Sequence, residues 1–506
     1  MLKRNIVANY LGQGVAAFMA LAFIPVYIHY LGVEAYGLIG VFAVMQAWFV
    51  LLDMGASQTL AREMSRYTAG IHSGEAIRVL LRSLELIIYL VALLSVIVIW
   101  LCVDWIATEW LSADKLSSER VARALSVTGV VIGLRFVEGM YRNALLGLQE
   151  QVWFNCAHAT LSTLRFGGVV GVLAFLSPSI EAFFYWQALI SISAVVVYAS
   201  KVYRLMPPLS VSVRPSFIAL SSVIGFAGGL FGINVLSVVL TQVDKVLLSR
   251  LLSLENFGYY VLAATLAGGI SLVIGPITQA LYPRLVELHA MHDHKAFSRL
   301  YHQGAQLVTM ASAPLMLILV LFPDEVLYVW SGDSTLVQNT AYLLMPLALG
   351  FFFNSLMWMP YQSQLAVGWT KLSFLTNLVA VSIMVPAIIY FVPEYGAIAA
   401  AWIWVLLTAG YILLVAQFMH ERILQGEKAS WYLFDLMLPM SGALLALFAI
   451  KYVLSLGMEV GTRLEWGIVL SLTYGVVLLI VALLCNRIRP ELKSRLTTFF
   501  AAFFVR

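Results

Sequence analysis

The chain has 506 residues, 61% hydrophobic and 11% charged, with a net charge of +4 and a mean hydropathy of +0.91. No water-soluble globular domain keeps that balance. The apolar runs are continuous over about 20 residues, so they predict helices crossing roughly 30 Å of hydrocarbon and exclude the short alternating segments of a membrane barrel.

Fourteen spans are predicted, at about 6–30, 37–60, 83–103, 124–148, 152–177, 181–200, 226–250, 257–281, 304–323, 338–362, 371–391, 396–418, 433–454 and 466–486. The first, after Lys3 and Arg4 and with Ala20-Leu21-Ala22 beyond, has some look of a secretory signal. Asn5, Asn9 and Gln13 interrupt its apolar part, however, and it runs on to Tyr30, so it reads as a retained span. Neither end carries a lipidation motif.

Sorted by alternate sides, 21 of the 30 Lys and Arg fall with the N-terminus and 6 opposite (Lys115, Arg120, Arg123, Arg250, Lys451, Arg463); Arg135, Arg165 and Lys245 lie within spans. The positive-inside rule then puts both termini in the cytosol. The longest outer segment, from about Asp104 to Arg123, leaves no room for an outer catalytic domain, which argues against a glycan polymerase or glycosyltransferase.

At an offset of 221 residues Tyr36-Gly37 falls on Phe257-Gly258, Arg78 on Arg299 and Gly147 on Gly368. Two related six-helix lobes around a central cavity are the simplest reading: 1–205, a cytosolic linker 206–225, and 226–420. Two additional helices occupy 421–486, and 487–506 is a basic, Phe-rich amphipathic tail suited to the inner leaflet. The expected fold is therefore an all-α integral membrane protein.

Charges inside the spans are the functional signal, because a charge in hydrocarbon costs a few kcal/mol unless it faces a protein interior or a wet cavity. Arg135, Glu138 and Arg142 share one face of the fourth span, and Arg165 stands in the fifth. They read either as a cationic patch for an anionic substrate or as an Arg and Glu network joining helices; one carboxylate cannot neutralise every arginine. Lys245 is a further substrate-binding candidate. Asp244, which at adjacent positions should not share a helix face with Lys245, joins Glu138 and Asp53 as candidates for ion coupling or charge pairing. Asn155, Asn234, Asn354 and Asn377 are secondary candidates for cavity lining or helix-joining hydrogen bonds. Glu85 and Asp435 are expected near the cytosolic surface and solvated.

Cys102, Cys156 and Cys485 read as small core residues, not a disulfide framework. His289, His292, His294 and His302 read as a solvated loop rather than a metal site, since no ligand set is complete. No cofactor and no nucleic-acid partner is expected.

The chain resembles the bacterial polysaccharide flippases. The resemblance rests on Asn9-Tyr10-Leu11-Gly12, Pro25, Tyr30-Leu31-Gly32-Val33-Glu34-Ala35-Tyr36-Gly37, Leu52-Asp53-Met54-Gly55-Ala56 and Ala61-Arg62-Glu63, then Asp244-Lys245-Val246-Leu247-Leu248-Ser249 and Phe257-Gly258-Tyr259-Tyr260. It implies the multidrug, oligosaccharidyl-lipid and polysaccharide exporter superfamily, and a polyprenyl-diphosphate-linked oligosaccharide moved to the outer leaflet by alternating access for surface polysaccharide such as O-antigen. The lipid tail would stay in the bilayer beside spans 13 and 14. Membrane lipids and the polysaccharide polymerase machinery are the further expected partners. The resemblance does not assign the individual arginines. Lipid II flippases and cation-coupled multidrug exporters share the fold and are the alternatives, together with a noncatalytic scaffold for the glycan machinery.

Overall fold

The computed structural model describes residues 12, 14–53, 55–68, 70–206, 224–455 and 461–488, except the side chains of 224–234, 236, 237, 279 and 370. The Asn234 side chain, most of the predicted linker and nearly all of the basic tail lie outside what is described, as does most of the signal-like segment. Among the described residues there are helices and no strand beyond one isolated parallel bridge between Ser112 and Ser253. Twelve helices there are long and apolar enough to cross a membrane. The helices at the fourth and seventh predicted spans, Ser118–Gly147 and Ile224–Leu251, are 30 and 28 residues long and bear the internal charges other than Arg165, which is on Gln151–Phe166.

The chain divides into two compact units, Met1–Val261 and Leu262–Arg506. The first holds α1 (Ile24–Leu31), α2 (Val33–Phe49), α3 (Ala56–Thr68), α4 (Gly74–Trp105), α5 (Ser118–Gly147), α6 (Gln151–Phe166), α7 (Gly168–Phe175), α8 (Ile180–Leu205), α9 (Ile224–Leu251) and the start of α10 (Leu254–Ala290). Polar caps set the helix ends. The side chains of Ser73, Ser117 and Ser179 accept from the backbone amides of Ala76, Arg120 and Ala182, satisfying donors the helix leaves free. The second predicted span stops short of residue 60, because Gly55 takes the left-handed backbone (φ 79°) and α3 begins anew after a 3-10 turn.

The core of this unit lies between α3, α4, α5, α6 and α8, with Met64, Leu81, Met140, Tyr141, Leu145, Phe154 and Tyr198 buried together. Gly147 lets α5 approach α3 closely: a Cβ there would stand 2.3 Å from the Ala61 carbonyl oxygen. Gly37 and Gly258, matched at the 221-residue offset, face each other, and a Cβ on Gly37 would stand 2.3 Å from the Leu254 carbonyl oxygen.

The second unit comprises the rest of α10, α11 (His294–Leu321), α12 (Pro323–Ser331), α13 (Ser334–Leu356), α14 (Trp358–Ala366), α15 (Thr370–Tyr395), α16 (Ala397–Gly410), α17 (Ala416–Arg422), α18 (Leu438–Ser455) and α19 (Arg463–Leu484). π-helical turns at Tyr411–Val415 and Trp431–Met437 lead into α17 and α18. A capping box starts α19: Thr462 accepts from Glu465 N while the Glu465 carboxylate accepts from Thr462 N. An apolar groove of about 480 Å³ runs along α15 and α16, from Leu372 and Phe418 to Phe391 and Ile403.

Candidate functional site

In the first unit Arg135 projects from α5 toward α2 and α8. Its guanidinium donates to Gln46 Oε1 at 2.5 Å and to Gln187 Oε1 at 3.1 Å, and lies 4.9 Å from the centre of the Phe42 ring. No carboxylate pairs with it among the described residues, and its Nε has no hydrogen-bond partner there. Two neutral amides and an aromatic face orient the cation without cancelling its charge.

One turn along α5, Glu138 accepts from Arg165 of α6 at 2.8 Å, and both side chains are almost wholly buried. Gln187 joins the two halves, since its Nε2 donates to the Arg165 carbonyl oxygen at 3.3 Å while its Oε1 serves Arg135. Arg165 and Glu138 thus form an ion pair between α5 and α6, and Arg135 is left outside it. Arg142, two turns from Arg135, is exposed, with its guanidinium 5.9 Å from the centre of the Phe154 ring; Phe154 in turn stacks on His158. Helices α2, α5, α6 and α8 thus bring Arg135, Arg165 and Glu138 together around Gln187, with Arg142 exposed further along α5.

The remaining candidates separate from this cluster. Asp244 and Lys245 do meet, contrary to expectation. Although adjacent residues point about 100° apart on a helix, the Lys245 stem folds back so that Nζ stands 3.7 Å from Asp244 Oδ1 and 3.0 Å from the Thr241 carbonyl. Tyr260 donates to Asp244 Oδ2 at 3.0 Å. Asp53 accepts from the Ser57 hydroxyl at 2.6 Å and its amide at 3.2 Å, at the start of α3. Asn155 is buried and donates to the Gln151 carbonyl at 2.7 Å. Asn354 and Asn377, in the second unit, are half-buried.

Two carboxylates expected in solvent are buried. Glu85 is 3% exposed, because Tyr203 and Tyr141 donate to it at 2.6 and 2.8 Å and Arg82 stands at 3.3 Å. Asp435 is 0% exposed, held by His302 and by Gln306 Nε2 at 3.0 Å. His302 likewise leaves the expected loop: α11 starts at His294, which carries His302 into the interior. Such burial is tolerable because each polar atom finds partners. Among the described residues no group of His, Cys, Asp and Glu is placed to hold a metal ion.

The family model for "Polysaccharide biosynthesis protein" matches residues 2–289. A Shigella flexneri protein described as "Putative O-antigen transporter" is 22% identical over 427 residues, 83% of this chain and 98% of that one. Among solved structures, an inward closed lipid II flippase MurJ is similar with a TM-score of 0.68 at 16% identity, covering 93% of this chain and 97% of that one. An inward-facing multidrug resistance MATE family transporter of the MOP superfamily gives 0.65 at 14% identity, covering 81% and 94%. These last two likenesses are of fold.

Proposed function

Since the chain belongs to the polysaccharide biosynthesis protein family, we propose that it is a flippase and not an enzyme. It moves a polyprenyl-diphosphate-linked oligosaccharide from the cytosolic to the outer leaflet of the bacterial inner membrane by alternating access, for assembly of a surface polysaccharide. The relative described as an O-antigen transporter supports the substrate class. The surplus of basic residues on the N-terminal side of the spans supports cytosolic termini.

The observation that carries the reading is Arg135: a guanidinium held by Gln46 and Gln187 with its charge uncancelled. A diphosphate is the anion such a group recognises, through paired N–H donors in a planar fork. In this reading Arg142 adds an exposed second cation, and the buried pair of Arg165 and Glu138 fixes the helix that carries Arg135. Lys245 and Asp244 remain proposals for substrate contact and ion coupling. The lipid tail travels along the α15 and α16 groove, whose lining is almost wholly apolar.

The test is complementation of a strain lacking the gene. Arg135→Gln should abolish surface polysaccharide and leave lipid-linked glycan on the inner leaflet while the protein still inserts. Undiminished polysaccharide would overturn the assignment, and rescue of cells deficient in lipid II flipping would move it to that substrate.

A further inference from the structure

In the second unit the His302 ring sits between two carboxylates. Its Nδ1 contacts Asp435 Oδ2, and its Nε2 lies 3.1 Å from Glu427 Oε2. The His302 and Asp435 side chains are fully buried, whereas that of Glu427 is 36% exposed. A neutral imidazole has one N–H and one lone pair, so it can donate to only one of these oxygens. At the other, two lone pairs would face each other at hydrogen-bond distance. The arrangement therefore calls for one proton more than a neutral ring and two carboxylates hold.

Hydrogen-bond donors converge on both carboxylates. On α11, Ser298 donates to Glu427 Oε1 at 2.9 Å and Gln306 to Asp435 Oδ1 at 3.0 Å. Although partial burial pushes Glu427 up, its hydrogen bonds from Ser298 and His302 hold it below the usual carboxylate range. After α19, the guanidinium of Arg487 stands 3.8 Å from Asp435, its amide donates to Gln306 Oε1 at 3.0 Å, and buried Cys485 approaches the Gln306 carbonyl. From α17, His420 meets the Tyr301 hydroxyl at 3.1 Å, its Nδ1 being turned to the Ala416 carbonyl at 2.7 Å; Lys428 next to Glu427 is exposed. Asp435, Glu427 and Arg487 sum to one negative charge, which a protonated His302 neutralises and a neutral one leaves in place.

We propose that His302, Asp435 and Glu427 form a proton-binding site that fastens the two C-terminal membrane helices to α11. The segment leading into α18, 427–437, and the one leaving α19, 485–487, are anchored through the same network. In the orientation proposed above, Glu427 opens the site to the cytosol and passes the proton to an otherwise sealed ring. Loss of the proton leaves a ring nitrogen facing a carboxylate and an uncompensated charge in a medium of low dielectric, so the attachment loosens. None of these residues belongs to the Arg135 cluster, so failure of the transport assignment leaves this proposal standing, and the converse.

The test uses the full-length protein in lipid nanodiscs with ¹⁵N-labelled histidine, the His302 signals being assigned by their loss in His302→Gln. At pH 6 to 7 both ring nitrogens should resonate as protonated, with a single deprotonation on raising the pH that shifts in Asp435→Asn. A ring that is neutral throughout pH 5 to 9 would overturn the proposal, as would one indifferent to Asp435→Asn. Hydrogen exchange of residues 427–437, corrected for its intrinsic pH dependence, should rise at least threefold as the proton leaves. In His302→Gln it should lose that pH dependence; equal pH dependence in variant and wild type would count against a proton-linked attachment.

Discussion

Glu34 holds the loop before α5 by its backbone, and Lys115 of that loop reaches Glu255: the Glu34 carboxylate accepts from the amides of Asp114, Lys115 and Leu116 at 2.5 to 3.2 Å, and Lys115 Nζ lies 2.6 Å from Glu255 Oε2. Glu34 and Glu255 are matched at the 221-residue offset, so two equivalent carboxylates grip one loop in different ways. Their energetic weights should differ. The Lys115 side chain is 68% exposed, and exposed pairs contribute under about 1 kcal/mol. Glu34 is 4% exposed, and its removal orphans three amides, a loss of about 1–3 kcal/mol or more. Thermal unfolding in detergent should therefore show Glu34→Ala clearly destabilised and Lys115→Ala nearly unchanged.

The pH dependence of that pair has a definite sign. The hydrogen bond to Glu255 raises the Lys115 pKa above its ordinary 10.5. Its contribution is then fully present below about pH 10.5 and is lost only as pH rises through the higher folded value. Lys115→Ala and wild type should show the same small stability difference at pH 6 and pH 9; a gap that closes between those values would refute the pairing.

In the arginine cluster, the two kinds of role predict opposite phenotypes. Glu138→Gln leaves the buried Arg165 guanidinium without its carboxylate and should cost about 3–5 kcal/mol. Arg135→Gln strands no charge, so folding should survive within about 1 kcal/mol while export falls at least tenfold. Melting curves and a lipid-linked glycan flipping assay on the same preparations decide it. If both variants lose export only in proportion to lost stability, Arg135 is structural.

How much of this was legible in the sequence depends on the kind of residue. The spans and their helical nature follow from apolar run length, and Arg135, Glu138 and Arg165 stood out because charge in such runs is costly. Gln46 and Gln187 did not, since single neutral amides among apolar residues carry no periodic signal, yet they orient Arg135. His302 falls outside the predicted span for another reason: hydropathy locates the apolar stretch from about 304, whereas α11 begins at His294 with polar turns that hydropathy reads as loop. Burial there is set by packing against 427–437, a contact more than a hundred residues away.

Close approach of α5 to α3 gives a test with an internal control on one helix. A Cβ at Gly147 would meet the Ala61 carbonyl oxygen at 2.3 Å and Met64 Cβ at 2.7 Å, whereas one at Gly139 meets nothing within 4 Å. Gly147→Ala should destabilise by about 1–3 kcal/mol through overpacking. Gly139→Ala should be neutral or stabilise by up to about 1 kcal/mol, because alanine is the better helix former. Thermal shifts of equal sign for the two would contradict this packing.

The route of the lipid tail can be tested through groove length. The α15 and α16 groove is lined from Leu372 to Phe391, and at 1.5 Å per helical residue that is about 28 Å, nearly the full hydrocarbon thickness. A second groove, beside α19, is lined from Arg463 to Leu472, about 14 Å on the same scale and no deeper than one leaflet. A long isoprenoid chain that must change leaflets matches the first better than the second. Ala380 and Ala387 lie in the longer groove, so Ala380→Trp with Ala387→Trp should narrow it and slow flipping of a long-chain substrate at least tenfold. Flipping of an analogue with a short prenyl tail should change less than threefold, because its chain does not extend past the bulky side chains. Equal slowing of both substrates would mean that the tail travels elsewhere, and bulky substitutions along α19 that slow only the long chain would place it there.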